Sequence, residues 1–221
     1  MQISCVVERL TDTNGYIVSD PSTRRMIIID PCNSSLIEPY IFSGHLHNEF
    51  IILTHEHYDH IAGLNELREL SHCPVIAHKK CSESIQSPIH NMARYYHILL
   101  TLRKQKTESE QFAIPNINRN YRCQKADIEF MDYYNFSWHG HSILIQKTPG
   151  HSEGSCCILI DNKYLFTGDT LLNDYEVIFR FPGGSEEAYY KRTIPFFETL
   201  SADTIVFPGH GRTFLLRDAL R

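Results

Sequence analysis

The stretch of sequence that decides the fold is Thr54-His55-Glu56-His57-Tyr58-Asp59-His60, which directly follows the apolar run from Phe50 to Leu53. Four potential metal ligands therefore lie at the end of a predicted buried strand: His55, His57, Asp59 and His60. Buried imidazole and carboxylate groups are costly without partners, so the arrangement predicts that something binds them. His55 and His57 can converge on one metal ion if the backbone turns, and Asp59 and His60 can then serve a second ion.

Three later segments repeat this design, because each ends a predicted strand with a tight turn that presents one ligand. They are Thr148-Pro149-Gly150-His151-Ser152, Phe166-Thr167-Gly168-Asp169-Thr170 and Phe207-Pro208-Gly209-His210-Gly211. A glycine beside each ligand lets the backbone approach closely. One such turn is weak evidence, but all three together with the first stretch are a specific pattern. By contrast, His45-Leu46-His47 and His139-Gly140-His141 have no carboxylate beside them, and we predict ordinary strand or loop histidines there.

Strand-like and helical patterns are interspersed along the whole chain, which predicts sheets packed face to face and covered by helices in a single domain of residues 1–221. The predicted strands are Ile3–Val7, Gly15–Ser19, Met26–Asp30, Phe50–Leu53, Pro74–Ala77, Asp127–Met131, Ser142–Lys147, Ser155–Ile160, Tyr164–Thr167 and Thr204–Phe207. The predicted helices are Ser34–Gly44, Ala62–Leu70, Ile85–Lys106, Glu186–Leu200 with a bend near Pro195, and Thr213–Leu220.

Composition limits the function classes. The formal net charge of −5 argues against a protein that coats nucleic acid. No apolar run reaches the length of roughly 20 residues that a membrane helix needs. The seven cysteines are irregularly spaced and form no Cys-x-x-Cys, and the first residues do not resemble a signal peptide. We therefore expect a cytoplasmic protein with a small-molecule substrate and no nucleic-acid or membrane partner.

Residues 83–126 interrupt the pattern and predict a helical insertion. Between Arg94 and Lys125 there are seven basic and two acidic residues, and the segment also carries Tyr95 and Tyr96. We hypothesise a lid over the metal cleft that receives an anionic substrate with aromatic walls and with Arg103, Lys104 and Lys106 as clamps. A solvated basic helix is the alternative interpretation.

With these motifs, and with Asn14-Gly15-Tyr16 and Ile29-Asp30-Pro31 before them, the chain resembles the metallo-β-lactamase superfamily, in particular its glyoxalase II-like (hydroxyacylglutathione hydrolase-like) branch. The resemblance implies an α/β fold, an αββα four-layer sandwich of two mixed sheets flanked by helices. It also implies two metal sites, the first formed by His55, His57 and His151, and the second by Asp59, His60 and His210. Asp169 would bridge the two ions, and Asp30 would support the metal loop.

The resemblance further implies a binuclear hydrolase with two zinc ions, or with iron or manganese, that cleaves a thioester or related ester by attack of a metal-bridging hydroxide. Asp59 and Asp169 are the candidate catalytic residues, Asp59 by orienting the hydroxide or moving a proton. Arg180 lies in a Gly-rich segment where relatives often carry Asp. It is either a surface residue or a cation near the substrate mouth.

Other functions remain open at this point. Hydrolysis of a lactone or a β-lactam would need only a different substrate. A sulfur dioxygenase of the same fold would bind a single iron through His55, His57 and Asp169. A non-catalytic protein is disfavoured because such descendants usually lose ligands. The natural substrate, the resident metal and the oligomeric state stay undetermined by the sequence.

Overall fold

Two six-stranded sheets form the centre of the molecule. The computed structural model describes residues 1–43, 45–102, 114, 117–173 and 175–219. The first sheet has the order β1 (Gln2–Glu8), β2 (Thr13–Asp20), β3 (Arg25–Ile29), β4 (His47–Ile52), β5 (Val75–His78) and β6 (Ile128–Phe130). The second has the order β12 (Phe214–Leu215), β11 (Ile205–Pro208), β10 (Tyr164–Gly168), β9 (Cys156–Ile160), β8 (His141–Lys147) and β7 (Tyr133–Trp138).

Both sheets are mixed, and strand direction determines where the site forms. Strands β3, β4, β5 and β6 run parallel to one another, so their carboxyl ends lie at one edge of the first sheet. In the second sheet β10 is parallel to β11 and antiparallel to β9, which is antiparallel to β8. Strands β8, β10 and β11 therefore also end at a common edge.

Helices cover the outer face of each sheet. They are α1 (Ser34–Phe42), α2 (Tyr58–Ile61), α3 (Leu64–Ser71), α4 (Lys79–Ser84), α5 (Ala93–Thr101), α6 (Glu186–Ala188), α7 (Ile194–Glu198) and α8 (Leu216–Ala219). One buried cluster joins the first sheet to α1 and α3, a second fills the space between the sheets, and a third joins the second sheet to α7 and α8. Three apolar layers thus separate four layers of secondary structure, which confirms the expected αββα sandwich.

The structure corrects several predicted boundaries. The helix predicted over Ile85–Lys106 is reduced to α5 in the described residues, because Met92 adopts a left-handed conformation with φ of 67°. The bend expected near Pro195 is a π-helical turn over Tyr189–Thr193, directly before α7. Strand β7 was not predicted, and the predicted closing helix begins as the short strand β12. Among the described helices, none has the length and apolar character needed to span a bilayer.

Candidate metal centre

The seven predicted side chains meet where the two sheet edges face each other. Strand β4 ends just before His55 and His57, and the short helix α2 carries Asp59 and His60. The turns that follow β8, β10 and β11 supply the remaining three side chains: His151, Asp169 and His210. Two backbone hydrogen bonds hold the turn of His210, one from Gly209 N to the Gly168 carbonyl at 2.7 Å and one from Asn14 N in β2 to the Gly209 carbonyl at 2.8 Å.

Two groups of candidate ligand atoms result. The nitrogens of His55, His57 and His151 form one group, and the ligand atoms of Asp59, His60 and His210 form the other. Within each group all atoms lie within 4.8 Å of one another. All these side chains except His210 are buried, and the His210 side chain is 17% exposed.

Asp169 lies between the two groups. Its Oδ2 is 3.6 Å from His151 Nε2 in the first group and 3.4 Å from His210 Nε2 in the second. Its Oδ1 is 3.3 Å from His60 Nε2. One carboxylate therefore faces both groups, which is the geometry that a bridging ligand requires.

The outer ring nitrogens of four histidines make hydrogen bonds that aim the other nitrogen inward. His60 donates Nδ1–H to Asp30 Oδ2 at 2.9 Å, and His55 Nδ1 lies 3.0 Å from Thr54 Oγ1, which itself donates to Asp30 Oδ2. The other two bonds end on backbone carbonyls, from His151 Nδ1 to Ile178 at 2.9 Å and from His210 Nδ1 to Asp12 at 2.6 Å. Such outer partners fix the tautomer in which Nε2 carries a free lone pair.

The inward-facing atoms fit a metal ion better than they fit one another. Among the described residues, the buried Nε2 atoms of His55 and His60 and the Oδ1 of Asp169 have no hydrogen-bond partner. His57 presents Nδ1 instead, 2.9 Å from His151 Nε2. A tetrahedral ion at ~2.1 Å from its ligands would separate them by ~3.4 Å, close to the 3.3–3.7 Å spacing between the Asp59, Asp169, His60 and His210 atoms. The residues present therefore fit a pair of metal ions.

The two groups differ in their charge. In the first, burial lowers the pKa of His57 to about 3 and also lowers the pKa values of His55 and His151, so these rings are neutral and ready to bind a metal ion. In the second, burial is outweighed by Asp59 and Asp169, which raise the pKa of His60 to about 10. His210 and His60 in turn lower the pKa of Asp169 against the effect of its burial. Ionised carboxylates thus hold protons on the histidines of the second group, and a bound metal ion would displace those protons.

Two residues support the candidate ligands through hydrogen bonds, and the sequence analysis identified one of them. Asp30, which the resemblance assigned to support the metal loop, accepts from Thr54 N at 2.8 Å as well as from Thr54 Oγ1 and His60. Asp30 also belongs to a cluster with His55 and His60, but its contact to the outer nitrogen of His60 makes it an orienting group. Sequence reasoning missed Thr13, whose hydroxyl donates to Asp59 Oδ2 at 2.8 Å.

A cavity of about 500 Å³ opens onto the candidate ligands. The cavity-facing ligands are His57, Asp59, His151, Asp169 and His210. One wall comes from α5 and the residue before it, and a second wall comes from residue 172 and residues 175–181. Most of the remaining lining side chains are aliphatic or aromatic.

The three predicted substrate-binding residues do not all lie at the cavity. Tyr96 and Arg180 line the cavity, whereas Tyr95 does not: it faces outward on α5 with 39% of its surface exposed, beside Arg119. One face of α5 therefore lies at the cavity and the other faces outward, and the lid stays a prediction. The clamps proposed at Arg103, Lys104 and Lys106 lie outside the described residues.

The two isolated His-x-His pairs lie away from the site, as predicted. His47 begins β4, and Gly140 makes the turn between β7 and β8. His139 pairs with Glu49 at 2.7 Å, and His141 pairs with Asp161 at 2.6 Å.

Comparison with known proteins gives one family match, to the model described as the metallo-beta-lactamase superfamily, over residues 49–210. An uncharacterized protein of Mycobacterium leprae is 23% identical, with 90% of this chain and 87% of that protein covered. A hydroxyacylglutathione hydrolase of Pelagibacter ubique is 26% identical over 76% of this chain, but this covers 55% of its own length. A probable polyketide biosynthesis zinc-dependent hydrolase of Bacillus velezensis is 25% identical, covering 88% of this chain and 71% of that protein.

Solved structures share the fold at low identity. The B3 metallo-beta-lactamase BLEG-1 matches with a TM-score of 0.78 at 21% identity, covering 98% of this chain and 95% of that chain. TTHA1623, solved in a di-iron-bound form, matches with a TM-score of 0.72 at 22% identity, covering 99% and 97%. ETHE1 from Myxococcus xanthus matches with a TM-score of 0.68 at 20% identity, covering 99% and 81%. These likenesses concern the fold alone.

Proposed function

The chain belongs to the metallo-β-lactamase superfamily, and we propose that within it the protein is a binuclear metal-dependent hydrolase of thioesters or related esters. Members of this superfamily are generally metal-dependent hydrolases. The thioester preference is our inference, supported by the similarity to the hydroxyacylglutathione hydrolase of Pelagibacter ubique. We further propose that the metal is zinc, because imidazole and carboxylate ligands suit it and because the Bacillus velezensis relative is described as zinc-dependent.

One observation carries the proposal: a complete pair of ligand groups shares Asp169 at the floor of a cavity large enough for a small-molecule substrate. A single ion would need only one of the groups. The second group would then hold Asp59, His60 and His210 at close quarters and leave the buried Nε2 of His60 without a hydrogen-bond partner, at a cost in desolvation.

Two bound ions would supply Lewis acidity and make water a usable nucleophile near neutral pH. The chain's own residues then orient the reaction. Asp59 faces the cavity as a carboxylate, because His60 and His210 lower its pKa against the effect of its burial. With its Oδ2 held by Thr13, Asp59 would orient the attacking water and accept its proton.

On the substrate side, Phe181 lies against the ring of His57 with 5.5 Å between ring centroids, so it would exclude bulk water from that flank. Arg180 lines the cavity beside it and is exposed. We assign Arg180 to a negatively charged or strongly polar group of the substrate at the cavity mouth.

The test combines metal content with a substrate panel. Protein purified without chelator is analysed for zinc, iron and manganese, and is assayed on simple thioesters, lactones, a chromogenic β-lactam and a persulfide. We expect two zinc ions per chain and hydrolysis of thioesters. One iron per chain with oxygen uptake on the persulfide and no hydrolysis would refute the proposal. The matched control is His139→Ala, which removes a histidine outside the site and should leave the metal content unchanged.

A further inference from the structure

The side chains that line the cavity walls indicate which chemical group can bind beside the reacting centre. On α5 and at its start, Met92, Tyr96 and Leu99 face the cavity. On the second wall, Leu172, Ile178 and Phe181 face it. These six side chains form a trough, and the candidate ligands lie at its floor.

The second wall of the trough exposes apolar surface. Ile178 is 36% exposed and Tyr175 is 52% exposed, and both line the cavity. Exposed apolar surface inside a concave site is suited to binding an apolar part of a ligand.

Both walls are fixed in place by the metal loops. On one side Tyr58 N donates to the Asn91 carbonyl at 2.8 Å, and the Tyr58 ring packs against Tyr96 at 5.5 Å. On the other side the Ile178 carbonyl accepts from His151. The trough is thus a preformed groove that begins at the reacting centre, rather than a loose surface.

The charged residues of the lining indicate where a polar group of the substrate can bind. Arg180 supplies a basic side chain, and Asp12 and Glu176 line the cavity as well. One negative or polar group of the substrate near Arg180 is compatible with this lining.

We infer that the trough formed by α5, residue 172 and residues 175–181 binds the apolar acyl chain of the substrate, so that the enzyme prefers medium-length alkyl or aromatic acyl thioesters to short ones. This inference rests on the proposed thioester hydrolysis. The reacting carbonyl would lie over the candidate ligands, and the chain would lie along the walls.

The kinetic experiment uses metal-loaded protein and acyl thioesters of N-acetylcysteamine, from acetyl to decanoyl, which differ only in the acyl chain. We expect kcat/KM to rise about three- to fourfold for each added methylene until the trough is filled. A flat profile with measurable hydrolysis would overturn this inference and leave the proposed function intact. Absence of hydrolysis from every thioester would overturn the proposed function instead.

A binding experiment tests the trough without turnover. Isothermal titration calorimetry compares the non-hydrolysable thioethers S-octyl- and S-ethyl-N-acetylcysteamine. We expect the octyl compound to bind at least about tenfold more tightly. The matched pair of variants is Ile178→Ser in the trough and Ile98→Ser on the outer face of α5, where Ile98 is 47% exposed.

Ile178→Ser should reduce the octyl-to-ethyl affinity ratio about fivefold, whereas Ile98→Ser should leave it unchanged. Because both isoleucines are exposed, neither change should prevent folding. Equal affinities for the two thioethers, or equal ratios in the two variants, would overturn the assignment of the trough.

Discussion

Replacing Asp30 by asparagine tests how the ligand shell is held. Asp30 is buried, and its Oδ2 accepts from Thr54 Oγ1 at 2.6 Å and from His60 Nδ1 at 2.9 Å. In Asp30→Asn the side-chain amide nitrogen can take the place of Oδ2. This nitrogen is a donor, so it cannot accept the hydrogen bonds that Thr54 Oγ1 and His60 Nδ1 donate to that place. His60 can then satisfy it only by moving its proton to Nε2, the nitrogen that faces the candidate metal site.

The magnitude follows from these two bonds. A hydrogen bond to a charged group contributes about 1.5–3 kcal/mol, so weakening both should lower the free energy of unfolding by about 3 kcal/mol. Loss of such an outer partner typically weakens metal binding by about 10–100-fold. We expect the effect at the second ion, because His60 belongs to that group.

The assay is competition with a chromophoric chelator, which gives separate affinities for the two ions, together with urea unfolding of the metal-free protein. Asp20→Asn is the matched control, since Asp20 accepts from Ser22 N at 2.9 Å and from Thr23 Oγ1 at 3.0 Å, away from the site. It should leave both affinities at the wild-type value. Wild-type affinity for the second ion in Asp30→Asn would refute the argument.

Three further changes test other parts of the structure. A Cβ at Gly209 would overlap Asp169 Oδ1, so Gly209→Ala should lose at least one metal ion in elemental analysis. Thr13→Val removes the donor to Asp59 and should lower kcat more than it changes KM in steady-state kinetics. Burial lowers the pKa of His78 to about 4, so stability should fall by about 2 kcal/mol, allowing for solvent screening, as pH drops from 6.5 toward 4. Urea titrations of His78→Asn, which can still cap α4, should not show this loss.

The candidate ligands were predictable because their signal is local and their convergence follows from strand direction. Each of His151, Asp169 and His210 follows directly after an apolar strand, and those strands end at one edge of the second sheet. The sequence shows the strand and the ligand side by side. Geometry in parallel sheets then brings such strand ends together without further information.

The partners of those ligands were mostly not predictable. His151 and His210 donate to the backbone carbonyls of Ile178 and Asp12, and a carbonyl has no side-chain signature. Thr13 lies 46 residues before Asp59 in the chain, and nothing in its neighbourhood marks its hydroxyl as special. Asp30 was identified only because it resembles a position in a known family.

The wrong helix prediction and the missed strand have local physical causes. Apolar spacing over Ile85–Lys106 predicted one helix, but the left-handed backbone of Met92 allows α5 to begin only at Ala93. Strand β7 was missed although its aromatic residues alternate: Phe136 and Trp138 pack into the core between the sheets, and Tyr133 is exposed. The residues of β7 do alternate between outward-facing and core-facing positions, but the core-facing ones are aromatic instead of aliphatic.

The walls of the trough are hydrogen-bonded to the ligand loops, and this bears on whether binding of the acyl chain changes kcat or only KM. Asn91 bonds to the loop of Asp59 through Tyr58, and Ile178 bonds to His151, so neither wall can shift without disturbing a ligand. A chain that fills the trough would therefore hold its carbonyl in register with the site. If the chain positions the carbonyl in this way, lengthening the acyl chain should raise kcat as well as lower KM. A gain confined to KM would mean that the trough binds substrate without positioning it.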